Sequence, residues 1–317
     1  MRTFFDSKSN FTRFAWLTLA FLVLVVLWGA FVRATGSGAG CGSHWPLCNG
    51  VVVPKEPRIE TLIELTHRVT SALSGVLVLV LLGWAFRLYP RGHIARKAAV
   101  WSFVFIITEG LVGAGLVLFE WVAHNESVGR AISMAVHLVN TFLLLAAVSL
   151  TAWWSGRAGD YKLRLRGQGR AVWLALGGLF LLLVVGVAGA ITALGDTLFP
   201  AGTLREGIEQ DFLPVAHFLV RLRVYHPIIA VVTSAYLFVV APIIAGGGPD
   251  ADAPPFSRII RALVVLQLVA GVVNIALNVP VWMQIVHLLL ADLMWIAVVL
   301  LGATVLFQPE PPSPAAG

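Results

Sequence analysis

Charge is what this sequence has least of. Asp, Glu, Lys and Arg make up 12% of its 317 residues, while 58% are hydrophobic; a water-soluble domain carries about 25% charged residues. A water-soluble core is excluded by that balance. Cysteine is nearly absent as well, with Cys41 and Cys48 the only two, so an electron route that needs two disulfides is ruled out. No glycine-rich nucleotide loop is present, and no small-x-small cleavage site follows the first apolar run before Arg33. That run is also longer than the core of a cleavable leader, which makes it a helix of the mature chain.

What the sequence does have is long uncharged stretches. A helix needs about 20 residues to cross roughly 30 Å of hydrocarbon, and six stretches reach that scale without an acid or a base: 14–32, 69–86, 131–156, 171–195, 224–249 and 262–279. Two more, 98–119 and 281–307, qualify if each tolerates one internal acid, Glu109 and Asp292. The expected fold is an all-α integral membrane protein of eight transmembrane helices. Intramembrane acids are costly, so Glu109 and Asp292 are functional candidates, for example as proton carriers, or else are simply paired.

Positive charge orients the spans. Arg2, Lys8, Arg13, Arg87, Arg91, Arg96, Lys97, Arg157, Lys162, Arg164, Arg166, Arg170, Arg258 and Arg261 all fall at the N-terminus or in the even-numbered loops. The positive-inside rule then puts both termini in the cytoplasm of a bacterial-type plasma membrane. The net charge of +6 follows from this bias and gives no reason to propose nucleic-acid binding.

The longest cytoplasmic linker, 157–170, divides the spans four and four, giving an N-terminal unit 1–156 and a C-terminal unit 171–317. The two halves show weak self-similarity: Trp28-Gly29-Ala30-Phe31-Val32 precedes one long outer loop and Ala188-Gly189-Ala190-Ile191-Thr192 another. In each half the second and fourth spans carry a histidine. Four is an even number of spans, so the halves form a parallel repeat, expected as two pseudo-symmetric four-helix bundles, each able to hold a site in its core. Gly110, Gly113, Gly115, Gly186 and Gly189 fit close helix approach of the small-xxx-small kind.

Eight histidines are present. His44, His124 and His217 lie in outer loops and His93 in a cytoplasmic turn, where an imidazole needs no special explanation. His67, His137, His226 and His287 lie inside spans, roughly 8 to 11 Å below the outer ends at 1.5 Å per residue. One such histidine is readily an interhelical hydrogen bond; four at matched depth, two per half, are not. Paired imidazoles from different helices of one bundle suit axial ligation of haem iron. Zinc would need three or four ligands in a tighter cluster.

The surroundings of these histidines leave alternatives open. Arg68, Arg130, Arg221 and Arg223 are candidate partners for haem propionates, or ordinary interfacial arginines with snorkelling side chains. Glu64 lies on the same helix face as His67, where a carboxylate can orient the imidazole, relay a proton or stabilise developing positive charge; it also suits a helix start electrostatically. The second half has Arg223 in the matching place. Cys41 and Cys48, in one outer loop with Gly and Pro between them, form a plausible disulfide. Such a bond either stiffens the loop above His67 or exchanges electrons with a partner thiol.

Taken together, Glu64-Leu65-Thr66-His67-Arg68, His137, Tyr225-His226-Pro227, Gln284-Ile285-Val286-His287 and the cysteine loop resemble the haem A synthase family over essentially the whole chain. The resemblance implies conversion of haem O to haem A, by successive hydroxylation of a porphyrin methyl and loss of water to leave a formyl. It implies a haem b cofactor on His226 and His287, a substrate haem between His67 and His137, and Glu64 as the acid near the substrate. The implied partners are haem O, the haem O synthase that supplies it, a quinol or thiol reductant, and membrane lipid. Two rivals use the same ligands. A bis-His cytochrome b that moves electrons across the membrane would want haems at opposite depths; a membrane haem carrier would leave Glu64 without a purpose.

Overall fold

A computed structural model describes residues 4–157, 159, 161–163, 169–247 and 250–309. Arg2, Arg164, Arg166, Pro249 and half of the expected linker lie outside the described residues. Within them the chain is helical: α1 (Lys8–Ala34), α2 (Ile59–Leu88), α3 (Ile94–Leu118), α4 (Val128–Ser155), α5 (Arg170–Leu198), α6 (Leu204–Asp211), α7 (Phe218–Leu222), α8 (Tyr225–Ala245), α9 (Ala253–Ala276) and α10 (Val281–Leu306). Eight stretches are long and apolar enough to cross a membrane, with α7 and α8 together forming the sixth. The chain is an all-α integral membrane protein, as its composition leads one to expect. A short antiparallel pair, β1 (Tyr161–Leu163) with β2 (Phe307–Pro309), ties the end of the last span to the segment after the fourth.

Several helix starts are fixed by local chemistry. Ser7 and Ser127 cap α1 and α4 by accepting from the backbone N–H groups of Asn10 and Arg130, which would otherwise be unsatisfied first-turn donors. His93 does the same for α3 through the Ala95 N–H, and His217 for α7 through the Leu219 N–H. These two imidazoles are therefore structural caps, and His93 is buried and stacked on Tyr89. Helix α2 starts ten residues before the uncharged stretch that revealed it. Glu60, Glu64 and Arg68 sit in its first turns, where paired charge is tolerated near the end of a span.

Packing follows the order of the chain. Helices α1, α2, α3 and α4 contact one another in sequence and α4 returns to α1; α5, α8, α9 and α10 do likewise, with α10 returning to α5. Contacts between the two sets run through α1 and α4 on one side and α5 and α10 on the other. Trp295 of α10 stacks on Phe142 of α4 with ring centroids 4.9 Å apart, and its indole N–H donates to the Phe142 carbonyl at 2.6 Å. That bond satisfies a polar edge that hydrocarbon would leave bare.

At the membrane edge beyond α4, Arg157 donates to both carboxylate oxygens of Asp250, at 2.6 and 3.0 Å, and pairs with Asp252. Burial alone would raise the Asp250 carboxyl, but the bonds from Arg157 and from the Asp252 N–H outweigh it and hold the group below its ordinary 3.8. A depressed carboxyl contributes stability that is complete above its unfolded pKa and is lost as pH falls through the folded one. Thermal unfolding in detergent is therefore expected to lose an increment below about pH 4, and Asp250→Asn to remove that increment together with its acid dependence.

Candidate functional site

The four intramembrane histidines share one local construction. His67 of α2 lies against Gly29 of α1, where an added Cβ would sit 2.9 Å from His67 Cε1. His226 of α8 lies against Gly189 of α5 with the same 2.9 Å separation. His137 of α4 faces Gly113 of α3 at 3.9 Å, and His287 of α10 faces Gly271 of α9 at 3.4 Å. Each imidazole thus lies against a glycine of the preceding span, and the first and third spans of each half supply it. Gly113 and Gly189 do permit close approach, though to a ring rather than to a helix backbone. Gly186 meets Leu138 and Phe142 at the join between the halves, whereas Gly110 has nothing within 4 Å and takes no part in close packing.

Each histidine lies about two turns inside its span, counting the sixth from Phe218, and all four spans are even-numbered, so they begin at the same end of the molecule. Among the described residues the buried Nδ1 atoms of His67 and His287 have no hydrogen-bond partner, a state that costs free energy unless something binds nearby, whereas His137 Nδ1 faces Glu109 and the His226 ring is within reach of the Val185 carbonyl. The rings of His226 and His287 stand 6.4 Å apart, nearly perpendicular. An imidazole nitrogen sits about 2 Å from a bound metal, so two rings on opposite sides of one iron hold their centroids roughly 6 Å apart. This pair fits haem iron. The Gln267 side-chain nitrogen is 3.2 Å from His287 Nε2, so ligation through that atom requires the amide to turn aside. His67 lies within electrostatic reach of His137. No cluster of three or more His, Cys, Asp or Glu suited to a metal ion occurs among the described residues.

Around His137 the polar contacts are dense. Glu109 Oε1 of α3 is 3.5 Å from His137 Nδ1. Its carboxylate also accepts from Asn140 Nδ2 at 2.5 Å and from the Thr141 hydroxyl, and Asn140 Oδ1 in turn accepts from Thr108. Glu109 is thus a paired acid. Asp292 is not: it is fully buried on α10, and neither carboxylate oxygen has a partner among the described residues.

Glu64 is placed differently from Glu109. Its buried carboxylate accepts from the Cys41 N–H at 2.8 Å and from Arg68 at 3.0 and 2.5 Å. Arg68 continues upward and donates to the carbonyls of His44 and Leu47 at 2.6 and 2.7 Å. Cys41 and Cys48 are disulfide-bonded and buried, and Gly40 presses so closely on the start of α2 that a Cβ would lie 2.4 Å from the Glu60 carbonyl oxygen. Glu64 and Arg68 therefore clamp the disulfide loop onto the second span.

Two other arginines considered for propionates are also engaged. Arg130 donates to the Ala123 and Asn125 carbonyls at 2.5 and 2.8 Å. Arg223 pairs with Asp196 and with Asp211, both at 3.0 Å, and burial pushes the Asp211 carboxyl up against the pull of that arginine. Arg221 is exposed; its backbone N–H donates to the His217 carbonyl, but its guanidinium has no hydrogen-bond or ion-pair partner among the described residues.

Sequence reasoning passed over Arg33, which joins the halves. From the last turn of α1 it donates to the Ala193 carbonyl and Thr197 hydroxyl of α5, both at 2.6 Å, and to Gln284 Oε1 of α10 at 2.9 Å. The only signal was a basic residue outside the N-terminal and even-numbered-loop set that carries most of the positive charge. Hydrogen bonds to a charged group contribute about 1.5–3 kcal/mol each, so Arg33→Met is expected to lower the unfolding temperature of the purified protein clearly. Arg33→Lys, with fewer donors, should fall between the two.

Fold and site define a class: an eight-span membrane protein with two pairs of facing-helix histidines near one end. Residues 12–299 match the family model described as cytochrome oxidase assembly protein, COX15-CtaA, and the chain belongs to this haem A synthase family. It is 52% identical over 302 residues to a protoheme IX farnesyltransferase of Thermus thermophilus, a match covering 94% of this chain and 49% of that relative. It is 45% identical over 106 residues to a heme A synthase of Halalkalibacterium halodurans, covering 33% of this chain and 36% of the relative. To the heme A synthase of Alkalihalophilus pseudofirmus it is 41% identical over 129 residues, 41% of each. The chain spans about half the length, or less, of each of these relatives.

Proposed function

We propose that this protein is a haem A synthase, oxidising a methyl of haem O to a formyl by successive hydroxylation and dehydration. The observation that carries the reading is the repeated construction of glycine against imidazole, twice in each half and at one end of the molecule. In this reading residues 1–156 and 171–317 form two pseudo-symmetric four-helix bundles joined by 157–170, with both termini cytoplasmic and both haem sites near the outer face. His226 and His287 hold a resident haem b; His67 and His137 hold the substrate haem.

Bound haem iron would supply the oxidising chemistry. The chain's own residues set the stage for it. Gly29 and Gly189 fix the rings of His67 and His226, since a residue with a Cβ would displace them, while Gly113 and Gly271 lie in ordinary contact with His137 and His287. Glu64, three residues before the substrate ligand His67 and held by Arg68 and the Cys41 N–H, is the proposed acid, and any proton it moves must first loosen that clamp. Arg221 is left as the propionate candidate with a free guanidinium; Arg68, Arg130 and Arg223 hold the outer loops from which a propionate would be approached. A quinol or thiol reductant supplies the electrons, and a thiol reaches the buried disulfide only once that clamp loosens. The farnesyltransferase name belongs to a relative about twice the length of its match to this chain. It supports a haem O synthase as the partner that supplies the prenylated haem.

Membranes containing the protein, given haem O, oxygen and a reductant, are expected to accumulate haem A by pigment extraction. Bound haem b without product would overturn the enzyme and leave a haem carrier.

A further inference from the structure

The two halves place different side chains beside their fourth-span histidines. In α3, Glu109 stands one turn before Gly113, and both touch His137: the glycine at 3.9 Å from Cε1, the carboxylate at 3.5 Å from Nδ1. In α9, Gln267 stands one turn before Gly271, and both touch His287: the glycine at 3.4 Å from Cε1, the amide at 3.2 Å from Nε2. Glycine and polar residue keep the same spacing, so Glu109 and Gln267 hold corresponding positions. The chemistry at those positions is unequal. An ionised carboxylate only accepts hydrogen bonds, whereas an amide nitrogen donates and carries no charge.

Resting on the two-haem reading above, we infer that Glu109 is a positioning residue that acts through His137, turning Nδ1–H toward its carboxylate and making that imidazole a stronger iron donor than His287. A carboxylate on the outer nitrogen of a ligating imidazole fixes the tautomer and raises ligand basicity. Its own orientation is set by Asn140 and Thr141, and Asn140 is held by Thr108 and by the Phe105 carbonyl. Two donors thus hold the carboxylate in place beside the ring, and two further bonds hold Asn140. The second half leaves its haem with a weaker donor. The N-terminal iron is thereby biased toward the ferric state, and the distinction between the sites is written in α3 and α9 as well as in the outer loop.

The test uses full-length purified protein reconstituted with haem b as the probe at both sites, with redox titration, electron paramagnetic resonance and haem titration as readouts. Glu109→Gln is expected to raise the midpoint potential of the N-terminal haem, to change its low-spin signal and to weaken its binding on the order of 10- to 100-fold. The C-terminal haem signal should stay unchanged, which also reports correct folding. Glu109→Asp keeps the charge but withdraws it from Nδ1; a potential and signal close to Glu109→Gln supports action through the ring. If Glu109→Asp instead matches the parent, charge alone is at work and the inference is overturned. Gln267→Glu, made separately, is expected to lower the potential of the C-terminal haem once the side chain has turned from His287 Nε2 to face Nδ1, and keeps the idea testable should Glu109 variants fail to fold. An unchanged potential in both Glu109→Gln and Gln267→Glu overturns the inference while leaving two haem sites in place. Retention of both haems by His137→Ala would overturn the two-site reading itself.

Discussion

Glu64→Ala is expected to abolish haem A formation while leaving the C-terminal haem bound, and Glu64→Gln separates the two reasons for it. Alanine removes the acceptor for the Cys41 N–H and the counter-charge for Arg68. Arg68 remains largely buried and bonded to loop carbonyls, and stranding one member of such a pair costs about 3–5 kcal/mol. The loop should loosen, so the Cys41–Cys48 bond should reduce faster under a mild thiol, as measured by alkylation. Glutamine keeps one carbonyl oxygen, enough for the Cys41 N–H or for Arg68 but not for both, since the two donors use different oxygens of Glu64, and it loses both charge and ionisable proton. If Glu64 takes part in proton transfer, Glu64→Gln should lose at least about 100-fold in product formation while its disulfide, still held by one of the two contacts, stays better protected than in Glu64→Ala. Near-normal haem A from Glu64→Gln would make Glu64 a loop clamp and nothing more.

The clamp formed by Glu64 shows where sequence reasoning reaches and where it stops. The spans were legible because hydrocarbon tolerates so few charges that an interruption is a boundary; even the two marked by Glu109 and Asp292 proved helical. Helix α2 was foreshortened for the same reason, its first turns carrying charges that are paired. The histidines were legible from depth, which depends only on residue count. The arginines were not, because depth places a guanidinium near the membrane edge without saying what it meets. Arg223 meets two aspartates, Asp196 and Asp211, one of them in the short helix α6 that charge scanning does not reveal. Gly29 and Gly271 were invisible as ring contacts because a glycine beside a ring and a glycine beside a helix leave the same mark on a sequence.

The glycine contacts give the second large effect. Gly189→Val puts branched carbon where even a single Cβ would lie 2.9 Å from His226 Cε1, closer than unbonded carbons approach. The ring must rotate or α8 must move, and overpacking of this kind costs about 1–3 kcal/mol. Ligation tolerates neither movement, because both ring nitrogens turn with the imidazole. Gly189→Val is expected to lose the C-terminal haem by absorbance of the purified protein and to keep the N-terminal one; Gly29→Val should do the reverse, through His67. Gly110→Ala is the control. With nothing within 4 Å of its Cβ, it should retain both haems and gain slightly in stability, since alanine is favoured over glycine in a helix by about 1 kcal/mol. Should Gly189→Val and Gly29→Val each lose both haems, the sites would be coupled through the α1–α5 and α1–α10 contacts that Arg33 bridges, and the two halves could not be treated as separate binding units.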